Sequence, residues 1–292
     1  GNLIKIGTGT FTYSGTNSLT APIVINEGVY VTNSISRVAN AATNWVMGGG
    51  SYRYTGATTT TAKFFTLTDG TSSSIDVFTA GTTLTISGAS PSSTGGLNKA
   101  GAGTLVLSGA NAYTGTTTIS AGTLTLGAAN VIHNSSNMDF AGGTFNTANF
   151  SETVGTLSVS AASNLTMGAT NTLTFSGAGT IADNLTITNY TAGTSHIFIG
   201  ASSLLSITDL SKITINGAAA CQLNTGELVP AATIAISGGA TMVNYPTVSS
   251  VTFTQTGGLG GGTWSVTPTT YGTIDASTGV FTPTGYGLVT VA

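Results

Sequence analysis

Carboxylates and histidines are the residues of this 292-residue chain that could act as acid–base or metal-binding groups. Cleavage of a polysaccharide needs two or three acids that converge on one face of the fold. The nine acids are spread along the chain: Glu27, Asp69, Asp76, Asp139, Glu152, Asp183, Asp209, Glu227 and Asp275. Asp69 and Asp76 form the one close pair, and Asp69 lies in a Thr-Asp-Gly turn. We interpret the acids as turn formers and solvated caps, although stacked repeats could still bring distant acids together.

Histidine and cysteine are equally sparse. Neither His133 nor His196 has a cysteine or an acid at metal-ligand spacing. No Gly-x-Ser-x-Gly elbow is present, and one isolated histidine per region argues against a catalytic triad. Cys221 is the single cysteine, and we expect it to be a small buried apolar residue. The sequence therefore predicts no enzyme, no metal site and no cofactor.

An aromatic and basic group lies between residues 45 and 65, with Tyr52, Arg53 and Tyr54 at its centre. Exposed rings beside arginine could stack on sugars, which makes these three residues a tentative glycan contact. Core packing is the reading that we favour, because strand alternation sends every second side chain inward.

The composition indicates an all-β protein. Only 5% of the residues are charged, against about 25% in an average protein, whereas threonine occurs 58 times and glycine 41 times. Threonine favours strands because its branched Cβ suits a pleated surface. The net charge is −3 with six basic residues, so the chain has no electrostatic footprint for nucleic acid or an anionic membrane. A surface of hydroxyls and amides suits an extracellular structural protein.

An internal repeat organises the first 230 residues. Residues 1–28 align without a gap on residues 95–122, with 12 of 28 positions identical. Many short alternating segments that stop at glycine, such as TLVLSG (104–109), continue the theme. The pattern predicts a right-handed parallel β-helix, a solenoid in which each strand stacks on the previous turn. Its inward side chains should include Leu105, Leu107, Ile119, Leu124 and Leu126.

Residues 95–127, GGLNKAGAGTLVLSGANAYTGTTTISAGTLTLG, resemble the autotransporter-associated β-strand repeat of bacterial surface proteins. With the flanking segments, the resemblance covers about 1–230. It implies an exported β-solenoid of the adhesin type, at the cell surface beyond the outer membrane. It says little about what the solenoid binds.

The sequence changes character after Pro230. Residues 231–292 resemble a partial bacterial Ig-like β-sandwich, in which Trp264 would be the core tryptophan and Asp275–Gly279 the turn of a hairpin. At 62 residues this module is shorter than the roughly 100 of a full Ig sandwich. We therefore expect two units, a solenoid at 1–230 and an incomplete Ig-like module at 231–292.

The predicted function is a non-enzymatic stalk of a large bacterial surface adhesin or fibre. Its expected partners are neighbouring modules of the same long chain, the outer-membrane secretion machinery, surface glycans, and host or abiotic surfaces. An exposed end rung would also permit end-to-end association. The alternatives are a glycan-binding solenoid, a polysaccharide-active enzyme and an ice-binding solenoid. Ice binding needs Thr-x-Thr pairs aligned in consecutive turns, and the irregular spacing of the pairs at 66–68, 83–85, 123–125, 172–174 and 186–188 argues against it.

Overall fold

The structure is a computed structural model that describes residues 3–14, 21–35, 44–200, 205–223, 225–231 and 269–284, with five two-residue strands between 233 and 291. Almost all regular structure in these residues is β-strand. The helices are the single-turn α1 (Ile207–Leu210) and a 3₁₀ turn at Thr269–Tyr271. The all-β class expected from the threonine-rich composition is therefore confirmed.

Parallel strands, numbered in chain order, stack into three faces of a solenoid. Face A contains β1 (Leu3–Lys5), β3 (Ile23–Ile25), β5 (Trp45–Met47) and β8 (Phe65–Leu67). Face B contains β2 (Thr10–Tyr13), β4 (Val29–Thr32), β6 (Ser51–Tyr54), β9 (Ser72–Val77), β11 (Gly96–Ala100), β13 (Thr117–Ile119), β15 (Met138–Ala141), β17 (Glu152–Ala161), β19 (Thr172–Ile181) and β21 (His196–Ile199). Face C contains β7 (Thr59–Thr61), β10 (Thr83–Ile86), β12 (Thr104–Leu107), β14 (Thr123–Leu126), β16 (Thr144–Asn146), β18 (Ser163–Thr166), β20 (Leu185–Thr188) and β22 (Ile213–Ile215).

The predicted solenoid is confirmed, with about nine turns, which we call rungs. Successive rungs pair in parallel, so each strand satisfies the backbone of the next, and alternate side chains point into a continuous core. The five residues predicted to point inward are at most 1% exposed: Leu105, Leu107, Ile119, Leu124 and Leu126. The right-handed sense of the helix stays a prediction.

The two copies of the 94-residue repeat do not lie on the same face. Leu3–Lys5 pairs with Ile23–Ile25 on face A, whereas the equivalent strand Gly96–Ala100 pairs with Thr117–Ile119 on face B. The repeat period is therefore not a whole number of rungs. The repeat forms a strand, a turn and a second strand, and this unit occurs at two different corners of the solenoid.

After β8, the third side of the solenoid has no continuous strand ladder, and side chains supplement the main-chain hydrogen bonds that remain between its rungs. Asn111 Oδ1 accepts from the Ser90 N–H at 3.0 Å, and Asn111 Nδ2 donates to the Val131 oxygen at 2.9 Å. The Val131 N–H then donates to Glu152 Oε2 at 2.8 Å. These buried groups satisfy backbone that has no regular strand partner.

Antiparallel strands close the C-terminal end of the stack. β22 pairs with β23 (Ala218–Gln222), β23 with β24 (Glu227–Pro230), and β24 with β21. Cys221 lies in β23 and is 1% exposed, as expected. The parallel order thus ends before residue 231, and the division into folding units at Pro230 stays a prediction.

The strands described beyond residue 231 pair antiparallel. β25 (Thr233–Ile234) pairs with β26 (Val243–Asn244). β30 (Val280–Pro283) pairs with both β27 (Val251–Thr252) and β29 (Gly272–Ile274). β28 (Val266–Thr267) pairs with β31 (Thr290–Val291). The predicted hairpin turn is present, because Asp275 Oδ1 accepts from the N–H groups of Ser277 and Thr278, and Gly279 has φ 67°. Trp264 lies outside the described residues, and the Ig-like sandwich stays a prediction.

Candidate functional site

Each of the nine carboxylates lies within hydrogen-bond distance of a main-chain N–H, a hydroxyl, a guanidinium or an imidazole. The pairs are Glu27 with Gly7, Asp69 with Thr94, Asp76 with Arg53, Asp139 with Ser160, Glu152 with Val131, Asp183 with Asn184, Asp209 with Ser206, Glu227 with His196, and Asp275 with Ser277. These contacts are typical of turns, caps and ion pairs rather than of two carboxyl groups set for acid–base catalysis. Within the described ranges, no group of three or more His, Cys, Asp or Glu could hold a metal ion.

The fold brings His196 and Glu227 together, a pair that the sequence did not reveal. Nδ1 of His196 lies 2.6 Å from Glu227 Oε1, and the imidazole stacks on Phe198 at 6.2 Å between ring centroids. The pair links β21 to β24, the antiparallel strand that closes the solenoid. It was missed because 31 residues and two reversals of the chain separate its members. His133 is a local turn residue whose Nδ1 accepts from the Ser135 N–H at 3.1 Å.

The tentative glycan contact is corrected by the structure. Tyr52 is 0% exposed and Tyr54 is 2% exposed, so neither ring is available for a sugar to stack on it. Both residues occupy the inward positions of β6, and Tyr52 packs against Trp45 at 4.9 Å between ring centroids. Core packing therefore explains the aromatic cluster. Arg53, at the outward position between them, remains partly exposed.

Arg53 belongs to a surface patch that the sequence did not reveal. Its Nε donates to Asp76 Oδ2 at 2.6 Å, and its guanidinium lies 4.9 Å from the centre of the Phe78 ring. Arg53 and Asp76 are direct neighbours in the register of β6 and β9. Phe78 is 53% exposed, one of the most exposed large apolar residues described. The patch thus presents one aromatic ring held by a cation, a geometry that suits stacking.

A buried lysine forms a clasp at a corner of the solenoid. Lys99 is 0% exposed, and its ammonium donates to the main-chain oxygens of Ala100 and Gly101 at 2.8 Å and of Ala121 at 3.0 Å. Burial lowers the pKa of Lys99 to about 8, and the nearby Asp76 opposes that shift. Lys99 lies in the inward column of Tyr52 and Ile119, where it replaces an apolar residue.

Lys5 forms the same clasp in the first copy of the repeat. Its ammonium donates to the oxygens of Ile6, Gly7 and Glu27, at the same three offsets along the chain as in the second copy. The clasp explains why the lysine and the turn glycine recur 94 residues apart. Its role is structural, because each ammonium is occupied by backbone oxygens.

One buried carboxyl group on the third side of the solenoid has a strongly raised pKa. Glu152 is 1% exposed, and burial raises its pKa to about 7 against the opposing hydrogen bonds from Val131, Ile132 and Thr153. In the same core, the Tyr113 hydroxyl and Thr117 Oγ1 lie 3.0 Å apart. Because these groups are enclosed in the core, they hold rungs together rather than meet a substrate.

The comparisons find similarity to a repeat family and to a bacterial autotransporter adhesin. Residues 3–29 and 97–126 match the Passenger-associated-transport-repeat family. The chain is 39% identical over 126 residues to the Adhesin BmaC autotransporter of Brucella suis biovar 1 (strain 1330), and the match covers 40% of this chain and 4% of that protein. The chain therefore corresponds to a small part of that relative. No solved structure matches it. In the residues that the structure describes, no helix is long and apolar enough to cross a membrane.

Proposed function

We propose that this chain is a non-enzymatic, rod-forming segment of a bacterial surface adhesin that is exported across the outer membrane. One observation carries the proposal: the two stretches that match the Passenger-associated-transport-repeat family are those that build the lysine clasps. The repeat is thus a device for turning corners in a continuous stack of rungs. The similarity to an autotransporter adhesin supports the same conclusion.

The mechanism is mechanical. Parallel strands about 4.8 Å apart make about nine turns into a rod roughly 40 Å long. The main-chain hydrogen bonds of all three faces run along its axis, so a pulling force would be shared among many of them. Such a rod would hold neighbouring modules of the same chain away from the cell surface.

Surface display tests the proposal. Residues 1–292 would replace the passenger of an autotransporter in a Gram-negative host, with Leu124→Asp as a control whose core cannot close. We expect the native segment to be reached by antibody on intact cells and to resist external protease. The control should be degraded. A native segment that stays in the periplasm, or one that reaches the surface and is degraded as readily as the control, would contradict the proposed role.

Glycan binding at the Arg53–Phe78 patch is a second candidate function. The exposed ring, held 4.9 Å from the guanidinium, carries this idea. A glycan array probed with the native chain and with Phe78→Ala would test it. We expect binding that Phe78→Ala removes and that Ile207→Ala, which trims another exposed apolar residue, preserves. Equal binding by all three chains would rule out this patch.

A further inference from the structure

The outward side of face C carries two columns of small hydroxyl and amide side chains. Strand register aligns the first column across seven rungs: Thr83, Thr104, Thr123, Thr144, Asn164, Thr186 and Thr214. The second column is equally long: Thr60, Thr85, Val106, Thr125, Asn146, Thr166 and Thr188. All fourteen side chains are half-buried or exposed. The face is therefore a two-dimensional array of hydroxyls and amides, interrupted by one valine.

The irregular spacing of Thr-x-Thr pairs in the sequence was a misleading guide to this array. Thr104 and Thr123 are direct partners although 19 residues separate them, and Thr186 and Thr214 are partners across 28 residues. Loops at the corners absorb the difference in length between rungs. Three of the five Thr-x-Thr pairs lie in register on face C, and the intervening rungs supply Thr-x-Val, Thr-x-Asn and Asn-x-Thr. The fold thus aligns threonines whose irregular spacing in the sequence predicted no aligned array.

Face C is also the most regular long face of the solenoid. None of its seven parallel pairings contains a register shift. Face B has shifts between Phe140 and Ala141 and between Leu157 and Val159. Parallel strands lie about 4.8 Å apart, and residues i and i+2 about 6.6 Å apart along a strand. Side chains on face C therefore repeat at nearly constant spacing in both directions over roughly 30 Å.

Charge separates the two long faces. The strands of face C contain no Asp, Glu, Lys, Arg or His. Face B contains Arg53, Asp76, Lys99, Asp139, Glu152 and His196. A ligand of face C must consequently be recognised without ion pairs. The one aromatic residue in these strands, Phe145, is 0% exposed, so face C offers no ring on which a sugar could stack.

We propose that the outward side of face C binds ice. A crystal of water presents hydrogen-bonding oxygens at fixed spacing in two dimensions and carries no charge, which is the chemistry that this face repeats. Threonine adds a methyl group beside each hydroxyl. Its branched Cβ already restricts χ1, so little side-chain entropy is lost on binding. Neutral crystalline polysaccharide is the competing ligand, and it is disfavoured by the missing aromatic platform. This activity is independent of the proposed adhesin role.

Ice affinity of the intact 292-residue chain tests the proposal. Protein would be partitioned into a slowly growing ice front, and thermal hysteresis and crystal shape would be recorded. We expect enrichment in ice and faceted crystals. The double substitution Thr104→Lys/Thr125→Lys, at the centre of both columns, should lower enrichment about tenfold, as two bulky charges prevent close approach.

Matched variants separate binding from folding. Thr118→Lys and Thr125→Lys each place one lysine on the same rung, on face B and on face C respectively, and only Thr125→Lys should lower ice enrichment. Thr125→Val keeps the shape of the side chain and removes one hydroxyl. Circular dichroism would verify that each of these variants is folded. A folded native chain that neither shapes ice nor enters it would overturn the proposal. Equal loss in Thr118→Lys would overturn it too, and so would retention on cellulose without any effect on ice.

Discussion

The ammonium of Lys99 donates to the main-chain oxygen of Ala121, which lies one rung further along the solenoid, at 3.0 Å. The same ammonium also donates to the main-chain oxygens of Ala100 and Gly101, so it joins three backbone positions at one corner of the solenoid. Neighbouring residues of the inward column, such as Ile119, are apolar. The cation is tolerated because three carbonyl oxygens replace its hydration shell.

Replacing Lys99 by methionine should destabilise the solenoid. Methionine fills similar space but leaves three carbonyl oxygens without their donor, and part of that cost is offset because no charge is buried. We expect the free energy of unfolding to fall by about 2 kcal/mol, as measured by urea titration followed by circular dichroism.

Lys5→Met is the internal comparison for that experiment. Ile6, Gly7 and Glu27, whose oxygens Lys5 binds, are all exposed, so water can satisfy them when the ammonium is removed. We expect a clearly smaller loss than in Lys99→Met. Equal losses would show that the clasp does not stabilise through the burial of its acceptors.

Gly7→Ala and Gly101→Ala should differ in cost although their backbone conformations are nearly the same. The φ angles are 75° and 74°, so both substitutions incur the strain of a left-handed alanine, about 1 kcal/mol. A Cβ on Gly7 would meet nothing within 4 Å, whereas a Cβ on Gly101 would clash with Asp76 Oδ1 and the Val77 oxygen. We expect Gly101→Ala to lose about 3 kcal/mol more in urea unfolding. A difference near zero would mean that the rungs separate easily at this corner.

The local pattern of the sequence was sufficient to predict the solenoid. Alternation in 104–107 and 123–126 predicted which leucines point inward, because the two-residue period of a strand leaves no other choice. Glycine and aspartate likewise predicted the turn at Asp275–Gly279.

Register between rungs could not be read in the same way. It depends on how many residues each corner loop absorbs, and that number varies without a local signal. This is why His196–Glu227 and Arg53–Asp76 were unforeseen and why the threonine columns seemed irregular. For Tyr52 and Tyr54 the favoured prediction of core packing, which rests on local strand alternation, agrees with the structure, because both side chains are buried.

Tyr52→Phe should stabilise the protein. The Tyr52 hydroxyl is buried and has no hydrogen-bond partner among the residues described, and burial raises its pKa well above the usual range. Removing the hydroxyl removes an uncompensated desolvation cost, so we expect a gain of about 1 kcal/mol in urea unfolding. Tyr113→Phe is the matched control, because the Tyr113 hydroxyl is bonded to Thr117 and its loss should cost about 1 kcal/mol. Losses of similar size in both variants would contradict this account.

Glu152 should make the stability of the solenoid depend on pH. Burial raises the pKa of this carboxyl from 4.5 to about 7, so between these values the folded chain binds a proton that the unfolded chain has released. Stability supplied by this group is therefore complete below about pH 4.5 and is lost as pH rises through 7. In the native chain the Val131 N–H donates to the Glu152 carboxylate at 2.8 Å, and in Glu152→Gln the amide oxygen can still accept this bond. The glutamine takes up no proton in this pH range. We expect unfolding free energies of the native chain to fall by roughly 1–3 kcal/mol relative to Glu152→Gln between pH 4.5 and 8. Parallel pH profiles for the two chains would show that the carboxyl is solvated in the folded state.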